Sequence, residues 1–579
     1  MLNRFNILIT GYGGQGLRTF TSLLSKILLK SGFHVHSFFD FTSKMRGGKN
    51  RAIISFSDEE VHLLEEKVDI LAVLSDEEDT EDEKLLKENG IVIKDGEKNF
   101  DGKILSLPLL KFAKGAGNRI YQNTVLLGAI LGIFGIEVVS VNETFLKQFA
   151  RKGIEVYDEN LKAAVMGFKQ TFGENYIKPI PATALKDRIL VTGMESIIFG
   201  AIGAGCQTLY TNPVPATRKA LDLMSDFSRE FPIITDGTED DSSAIFKALG
   251  SSYTGVKSLV LSTSSSFQNL NDGISFSGMA EIPIVIAVVQ TPGPSVGMPT
   301  KTEQSNLLYS ICTGNMEIPK VIFAPGTQEE CYSITHKAFE ISSNYNIPVI
   351  ILLDHYLSES INDIQLINLD EVRRPRDHFT RKELEEIKEY KTYSMTETGI
   401  SPRLYPGQTN LPVIVTTFEH DEMGKISDSL KNRENMVNKR LRKARSVLDE
   451  FTPPEFYGDD KFDILITGWG STIPTIKVVV DVLRKEKVRV GALLFTQVYP
   501  INEKKIKKYF RKNRFFINIE SNSTGQMGIV LRSNLGFEFN QEILRYDGFP
   551  ITFEFIMDRI NTEYKVKPTR RGRWKKSKD

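Results

Sequence analysis

Six residues near the start, Gly11-Tyr12-Gly13-Gly14-Gln15-Gly16, lie between an apolar run (Phe5–Thr10) and an amphipathic run (Leu17–Lys30). Gly11, Gly13 and Gly16 satisfy G-x-G-x-x-G. That spacing lets backbone approach a phosphate while a helix N-terminus supplies free N–H groups. Asp40 closes the next strand candidate, where a ribose-binding acid would stand. Alone, this is the chemistry of a Rossmann NAD-binding oxidoreductase. Metal chemistry has less support. Cys206, Cys312 and Cys331 lie 106 and 19 residues apart, whereas a [4Fe–4S] cluster normally takes four closely spaced cysteines. His420 has Glu419, Asp421 and Glu422 beside it but no second histidine at i+4, so the spacing fits no usual zinc set. The three cysteines read as buried apolar residues in a reducing compartment.

These residues must be held by several domains. At 579 residues the chain is long enough for roughly four. Hydrophobic residues make up 41% and charged residues 25%, the composition of a globular protein. Lys+Arg and Asp+Glu both number 73, a balance that argues against a nucleic-acid binder. No export signal is apparent. The longest uncharged apolar stretch, Val125–Ile136, is too short to span a bilayer and reads as a buried helix. A cytoplasmic location with no membrane partner is the expectation.

Residues 1–180 alternate strand signals (Phe5–Thr10, Phe33–Phe41, Ala52–Phe56, Ile70–Leu74) with helix signals, which predicts a mostly parallel sheet covered by helices. A second α/β block, from about 188 to 360, has near-continuous apolar strands at Ser258–Leu261, Ile282–Val289, Val321–Ala324 and Pro348–Leu353, as in a sheet buried on both faces. Residues 361–410 read as a linker or surface excursion, and 424–450 as a charged surface helix. A third α/β block starts at Phe462–Thr467. The last fifteen residues hold eight basic residues and one acidic, as in a tail for an acidic partner or a solubilising tail.

The residues after the Gly-rich loop change its meaning. GGQG, the Arg46-Gly47-Gly48 turn and a strand ending in Ser57-Asp58 come in that order. Together they resemble the γ domain of the 2-oxoacid:ferredoxin oxidoreductases. The middle block is similar to the α subunit of the same enzymes, through GAIGAG (200–205), NPVPAT (212–217), EDDSSAIFKALG (239–250), Ser262–Ser266, Glu281-Ile282-Pro283 and GPSVGMPT (293–300) with Glu303-Gln304. TETGISPRLYPG (396–407), FEHDEMG (418–424), GWGSTIPT (468–475), ESNSTGQMG (520–528) and YDGFPIT (546–552) continue the α-subunit order.

The resemblance covers almost the whole chain and implies a multidomain α/β fold. A γ-type α/β domain (1–182) is followed by a doubly wound, thiamine-diphosphate-binding pyrimidine-type domain (188–360). A linker and charged helix (361–460), a transketolase-C-like α/β domain (461–564) and the basic tail (565–579) complete it. It implies oxidative decarboxylation of a 2-oxoacid to acyl-CoA and CO₂, with electrons passed to ferredoxin. By the same resemblance, Asp241 takes the place of the carboxylate that activates the pyrimidine, with Glu239 two residues before it. Asn212, Pro213, Thr217 and Ser264 would border thiamine diphosphate, and Thr291, Ser295, Gly297 and Thr300 the substrate. Gly13, Gly14, Gly16, Lys44 and Arg46 would suit the anionic groups of coenzyme A.

The chain also departs from that family. Asp241 stands where the family has Glu, shortening the reach by about 1.5 Å, one C–C bond. Its bland alternative is a cap or first-turn acid of a helix. Pro215, Asn212 and Thr291 replace the family's Thr, Tyr and Arg. These changes motivate an alternative, a catalytically degenerate assembly subunit. The chain has three cysteines and no obvious GDG element, and the resemblance implies a separate β subunit carrying Mg²⁺ and [4Fe–4S].

Overall fold

The computed structural model describes residues 4–41, 48–75, 80–174, 176, 185–367, 379–511, 514–564, 567–568 and 574–575. Two compact units emerge. One comprises Met1–Thr192, Glu359–Leu366 and Thr552–Phe555; the other comprises Gly193–Ser358, Ile367–Ile551 and Ile556–Asp579. Among the described residues no helix is long and apolar enough to cross a membrane.

The first unit is built on strands β1 (Arg4–Tyr12), β2 (His34–Asp40), β3 (Lys49–Ser57), β4 (Val68–Val73), β5 (Leu86–Asp95), β6 (Asn99–Phe100), β7 (Ile104–Leu107) and β8 (Arg188–Thr192), with a returning strand, β15 (Ile361–Gln365). They form one nine-stranded sheet in the order β6-β7-β5-β4-β1-β3-β2-β15-β8. β1 runs parallel to β4 but antiparallel to β3, and β3 is antiparallel to β2. The sheet is therefore mixed, not mostly parallel as the alternation predicts. The physical reason is length: eight residues link Asp40 to Lys49, fewer than the dozen or so that a parallel crossover needs. The segment 188–192, expected to open the middle block, and 361–365, expected to begin the linker, instead pair with each other in this sheet.

The apolar stretch near residue 125 forms the buried helix Gln122–Ile133. It packs against Ile154–Thr171 through glycines. A Cβ at Gly128 would lie 1.9 Å from the Ala164 carbonyl oxygen, and one at Gly167 1.9 Å from that of Val125. Only a hydrogen at these positions lets the two backbones meet.

The second unit holds two sheets. The first contains β9 (Thr208–Thr211), β10 (Ile234–Gly237), β11 (Ser258–Thr263), β12 (Ile284–Gln290), β13 (Val321–Phe323) and β14 (Pro348–Asp354), all parallel, in the order β10-β9-β11-β12-β14-β13. A short strand from later in the chain, β19 (Gln497–Tyr499), closes the β13 edge in antiparallel register. The second sheet, in the order β16-β18-β17-β20-β21, is parallel except for its first strand, β16 (Glu455–Gly458). Its other strands are β17 (Ile464–Trp469), β18 (Val490–Phe495), β20 (Phe515–Glu520) and β21 (Gln541–Leu544).

Buried polar groups join these sheets. Gln304 is fully buried; its side chain donates to the Trp469 carbonyl (2.9 Å) and accepts from the Ser521 N–H (3.0 Å). Glu520 takes five donors: Trp469 Nε1, the Asn518 and Asn522 amides, and the N–H groups of Met527 and Gly528. The charged helix Leu430–Asp449 is not a free surface helix. Lys439 and Lys443 are buried and bind the two oxygens of Glu281 at 2.5 and 2.6 Å. Burial raises the Glu281 carboxyl, but the two ammonium groups outweigh it and hold it at about 2. Burial lowers Lys443 to about 8. Such a pair is costly to break from one side, because a buried charge is left alone.

The glycine crossing can be tested by substitution. Gly167→Ala forces a methyl onto a backbone carbonyl and is expected to cost about 1–3 kcal/mol in urea unfolding. Gly250→Ala, whose Cβ would meet nothing within 4 Å, is expected to be neutral or stabilising by up to about 1 kcal/mol. Equal effects from the two would remove the packing argument.

Candidate functional site

In an open parallel sheet, chain ends that can face a ligand collect at the carboxyl edge. In the second unit that edge gathers the turns following β9, β10, β11 and β12.

After β9, the Asn212 carbonyl accepts from the Thr217 hydroxyl (2.7 Å) and the Val214 N–H (2.8 Å). Thr217 is fully buried, so its hydroxyl closes the turn rather than facing outward. Pro213 is exposed and stands beside Gly237. Pro215 opens the helix Pro215–Phe227, where a missing N–H costs nothing.

After β10 the three acids separate. Asp240 caps the helix Asp241–Tyr253 by accepting from the Ser243 N–H at 2.7 Å. Glu239 is exposed and accepts from the Ser243 hydroxyl at 2.7 Å, which holds its carboxyl below the usual range. Asp241 is 1% exposed. Its carboxylate accepts from the Ser262 hydroxyl at 2.9 Å, and the Ser266 hydroxyl and the Asn212 N–H stand near enough to favour its charged form. Burial pushes its carboxyl up, and these three polar groups oppose that shift only in part. The cap of this helix is therefore Asp240, not Asp241.

The end of β11 and the turn after it carry five consecutive hydroxyl residues, Ser262–Ser266. Ser264 Oγ donates to Asn306 Oδ1 at 2.5 Å and accepts from the Thr291 N–H at 2.8 Å. The Asn306 N–H donates to Gln290 Oε1 at 3.2 Å. Hydrogen bonds therefore join Asp241 to Ser262 and Thr291 to Ser264, and the Thr211 hydroxyl lies between the Asn212 and Leu261 carbonyls, so these residues share one edge. The loop beyond Thr291 leaves this network. Ser295 and Gly297 are exposed, with φ of 56° and 50°, and Thr300 is half-buried. Gly297 is required: a Cβ there would lie 1.9 Å from the Pro292 carbonyl oxygen. Val296 and Met298 are exposed, giving the loop an apolar rim.

Sequence reasoning marks Ser262–Ser266 as a motif, but the run of hydroxyls does not say which one turns inward, and it passes over Gln290 and Asn306. Glu303 has no hydrogen-bond or ion-pair partner among the described residues, and burial pushes its carboxyl up to about 7.

In the first unit the Gly-rich turn is formed as its spacing requires. Gly14 and Gly16 have φ of 96° and 73°, Gly16 caps the helix Leu17–Lys30, and Gly13 and Gly14 face open space. Gln15 folds back inside the turn, accepting from the Tyr12 N–H (2.6 Å) and donating to the Leu74 carbonyl (2.8 Å). A cavity of about 280 Å³ beside Gly16 is lined by Thr19, Tyr121, Asn123 and Lys152 among others. Lys44 and Arg46 lie outside the described residues, as does most of the basic tail. β2, which ends in Asp40, is not a neighbour of β1, so the turn does not belong to a parallel βαβ dinucleotide unit.

Three family models match the chain in order. They are pyruvate ferredoxin/flavodoxin oxidoreductase over residues 6–170, its thiamine-diphosphate-binding domain over 200–439, and pyruvate:ferredoxin oxidoreductase core domain II over 462–545. The chain is 24% identical to the 2-oxoacid:ferredoxin oxidoreductase subunit alpha of Saccharolobus solfataricus, covering 96% of this chain and 97% of that one. It is 28% identical to subunit alpha of the 2-oxoacid:ferredoxin oxidoreductase 2 of Aeropyrum pernix, covering 78% and 74%. The 2-oxoglutarate:ferredoxin oxidoreductase of Magnetococcus marinus, solved with 2-oxoglutarate, coenzyme A and succinyl-CoA bound, has the same fold. Its TM-score is 0.89 at 24% identity, over 97% of this chain and 99% of that one.

The Ser264 network makes a stability prediction. Ser264→Ala strands the buried Thr291 N–H and is expected to cost about 1–3 kcal/mol in chemical unfolding. Ser265→Ala, whose hydroxyl meets only that of Thr263, is expected to stay within about 0.5 kcal/mol.

Proposed function

We propose that this chain, which belongs to the 2-oxoacid:ferredoxin oxidoreductase family, is the α subunit of such an enzyme with the γ domain fused at its N-terminus. The reaction is 2-oxoacid + CoA–SH → acyl-CoA + CO₂ + H⁺ + two electrons, the electrons leaving for ferredoxin. The observation that carries this reading is the collinear match of three domain models with a single carboxyl edge where the loops of β9, β11 and β12 meet.

Thiamine diphosphate supplies the carbanion chemistry of this reaction when bound. The edge fits it unevenly. Asn212 and Pro213 border the open side, and the exposed 293–300 loop offers Ser295, Thr300 and backbone at Gly297 for a 2-oxoacid. Thr217 and Ser264 are already committed to other partners. The activating contact does not fit: Asp241 is covered and Glu239 lies on the exposed rim. We assign coenzyme A to the turn of Gly13, Gly14 and Gly16, whose free N–H groups suit phosphate, with Lys44 and Arg46 as cations nearby in sequence.

Mg²⁺ and [4Fe–4S] are assigned to a β subunit. Cys206 and Cys331 are buried, and burial pushes the Cys206 thiol up to about 12 and that of Cys331 up as well. A cluster ligand must be a thiolate.

The test is anaerobic assay of the chain co-expressed with a cysteine-bearing partner, given thiamine diphosphate, Mg²⁺, CoA and methyl viologen. Expected is viologen reduction that requires both a 2-oxoacid and CoA. Full cofactor loading with no turnover of pyruvate, 2-oxoglutarate, branched-chain or aryl oxoacids would leave only an assembly role.

A further inference from the structure

We infer that Asp241 is a positioning residue that locks the 212 turn to the 262–266 turn, and is not the carboxylate that meets the thiamine pyrimidine. This rests on the reading of the second unit as the cofactor-binding unit. A carboxylate has about four acceptor sites. One of those of Asp241 is taken by the Ser262 hydroxyl at 2.9 Å, and the Ser266 hydroxyl and the Asn212 N–H stand beside the carboxylate as further donors of this chain. At 1% exposure the residue presents almost no surface to a ring nitrogen.

The donors have little else to bind. Ser262 is itself buried, and its other contacts, the Thr263 carbonyl and the Ser266 hydroxyl, are both at 3.4 Å, too long to satisfy it well. Taking the carboxylate away for a ligand would therefore strand the buried Ser262 hydroxyl. β9 and β11 are already neighbours in the sheet, with Thr211 opposite Leu261. The Thr211 hydroxyl donates to the Leu261 carbonyl at 2.8 Å. Asp241 stands one step beyond this pair, accepting from Ser262 with the Ser266 hydroxyl beside it on one side and the Asn212 N–H on the other. Its position as the first residue of the helix Asp241–Tyr253 fixes the carboxylate between them. Its short side chain suits that place.

The neighbouring acids do not replace it as a free acceptor. Asp240 is spent on the helix cap, and Glu239 accepts from Ser243 on the exposed rim. Asn at position 241 should preserve most of the lock, since a serine hydroxyl can turn to accept from the new amide. Ala cannot.

The test compares Asp241→Asn and Asp241→Ala in the complex with its partner, loaded with thiamine diphosphate. The readouts are hydrogen–deuterium exchange at the thiazolium C2, the iminopyrimidine circular-dichroism band and the unfolding midpoint. Expected is that Asp241→Asn keeps the band and exchanges C2–H within about threefold of wild type, less than a tenfold step in barrier. Asp241→Ala is expected to lower the unfolding midpoint. The inference is overturned if Asp241→Asn slows exchange by about a hundredfold or more, the scale of a lost acid–base group, and loses the band with the midpoint unchanged. If the wild-type complex takes up no thiamine diphosphate, the functional reading fails by itself. The lock is then judged on the midpoint, and an unchanged Asp241→Ala midpoint refutes it.

Discussion

One buried carboxylate, bonded to Ser262 and flanked by two further donors, sets the geometry of the carboxyl edge. Parallel strands end where their hydrogen-bond ladder stops, and the next residues have backbone groups that the sheet no longer satisfies. Asp241 accepts from Ser262 near the end of β11, with the first N–H beyond β9 and the Ser266 hydroxyl beside it. Ser264 repeats the device one strand further, with the first N–H beyond β12 and with Asn306. The edge is thus rigid where the strands leave it. It is open only farther out, at Pro213, Glu239 and the 293–300 loop.

The same solution recurs at the other joints of the second unit. Glu520 gathers five donors at the start of the helix Gln526–Leu535, Gln304 bridges the Trp469 and Ser521 backbones, and Glu281 anchors the helix Leu430–Asp449 through two lysines. Each is a satisfied polar group rather than an apolar contact. Such groups specify one arrangement, because any other leaves a buried charge or donor unpaired.

Much of this is legible in the sequence. The strands are marked by apolar runs, and the buried helix at residue 122 by its lack of any polar face. The family is visible because many short motifs come in one order. Less legible is anything that depends on who sits opposite. Nothing local says that 361–365 returns to the first sheet, since strand pairing there joins residues far apart in the chain. The helix Leu430–Asp449 reads as a surface helix because its lysines are charged, and Glu281, which buries them, is far away in sequence. Asp240 and Asp241 are chemically identical neighbours. One caps a helix in solvent and the other is buried, and only the rotation of the helix start decides which.

The most direct measurement of the central claim is backbone hydrogen exchange on the wild-type chain and Asp241→Ala. If the Asp241 carboxylate holds the edge, peptides covering 208–217 and 258–267 should lose protection together, while those of the second sheet stay unchanged. If the two segments keep wild-type protection, or open independently of one another, the carboxylate is not what holds the strand ends in place.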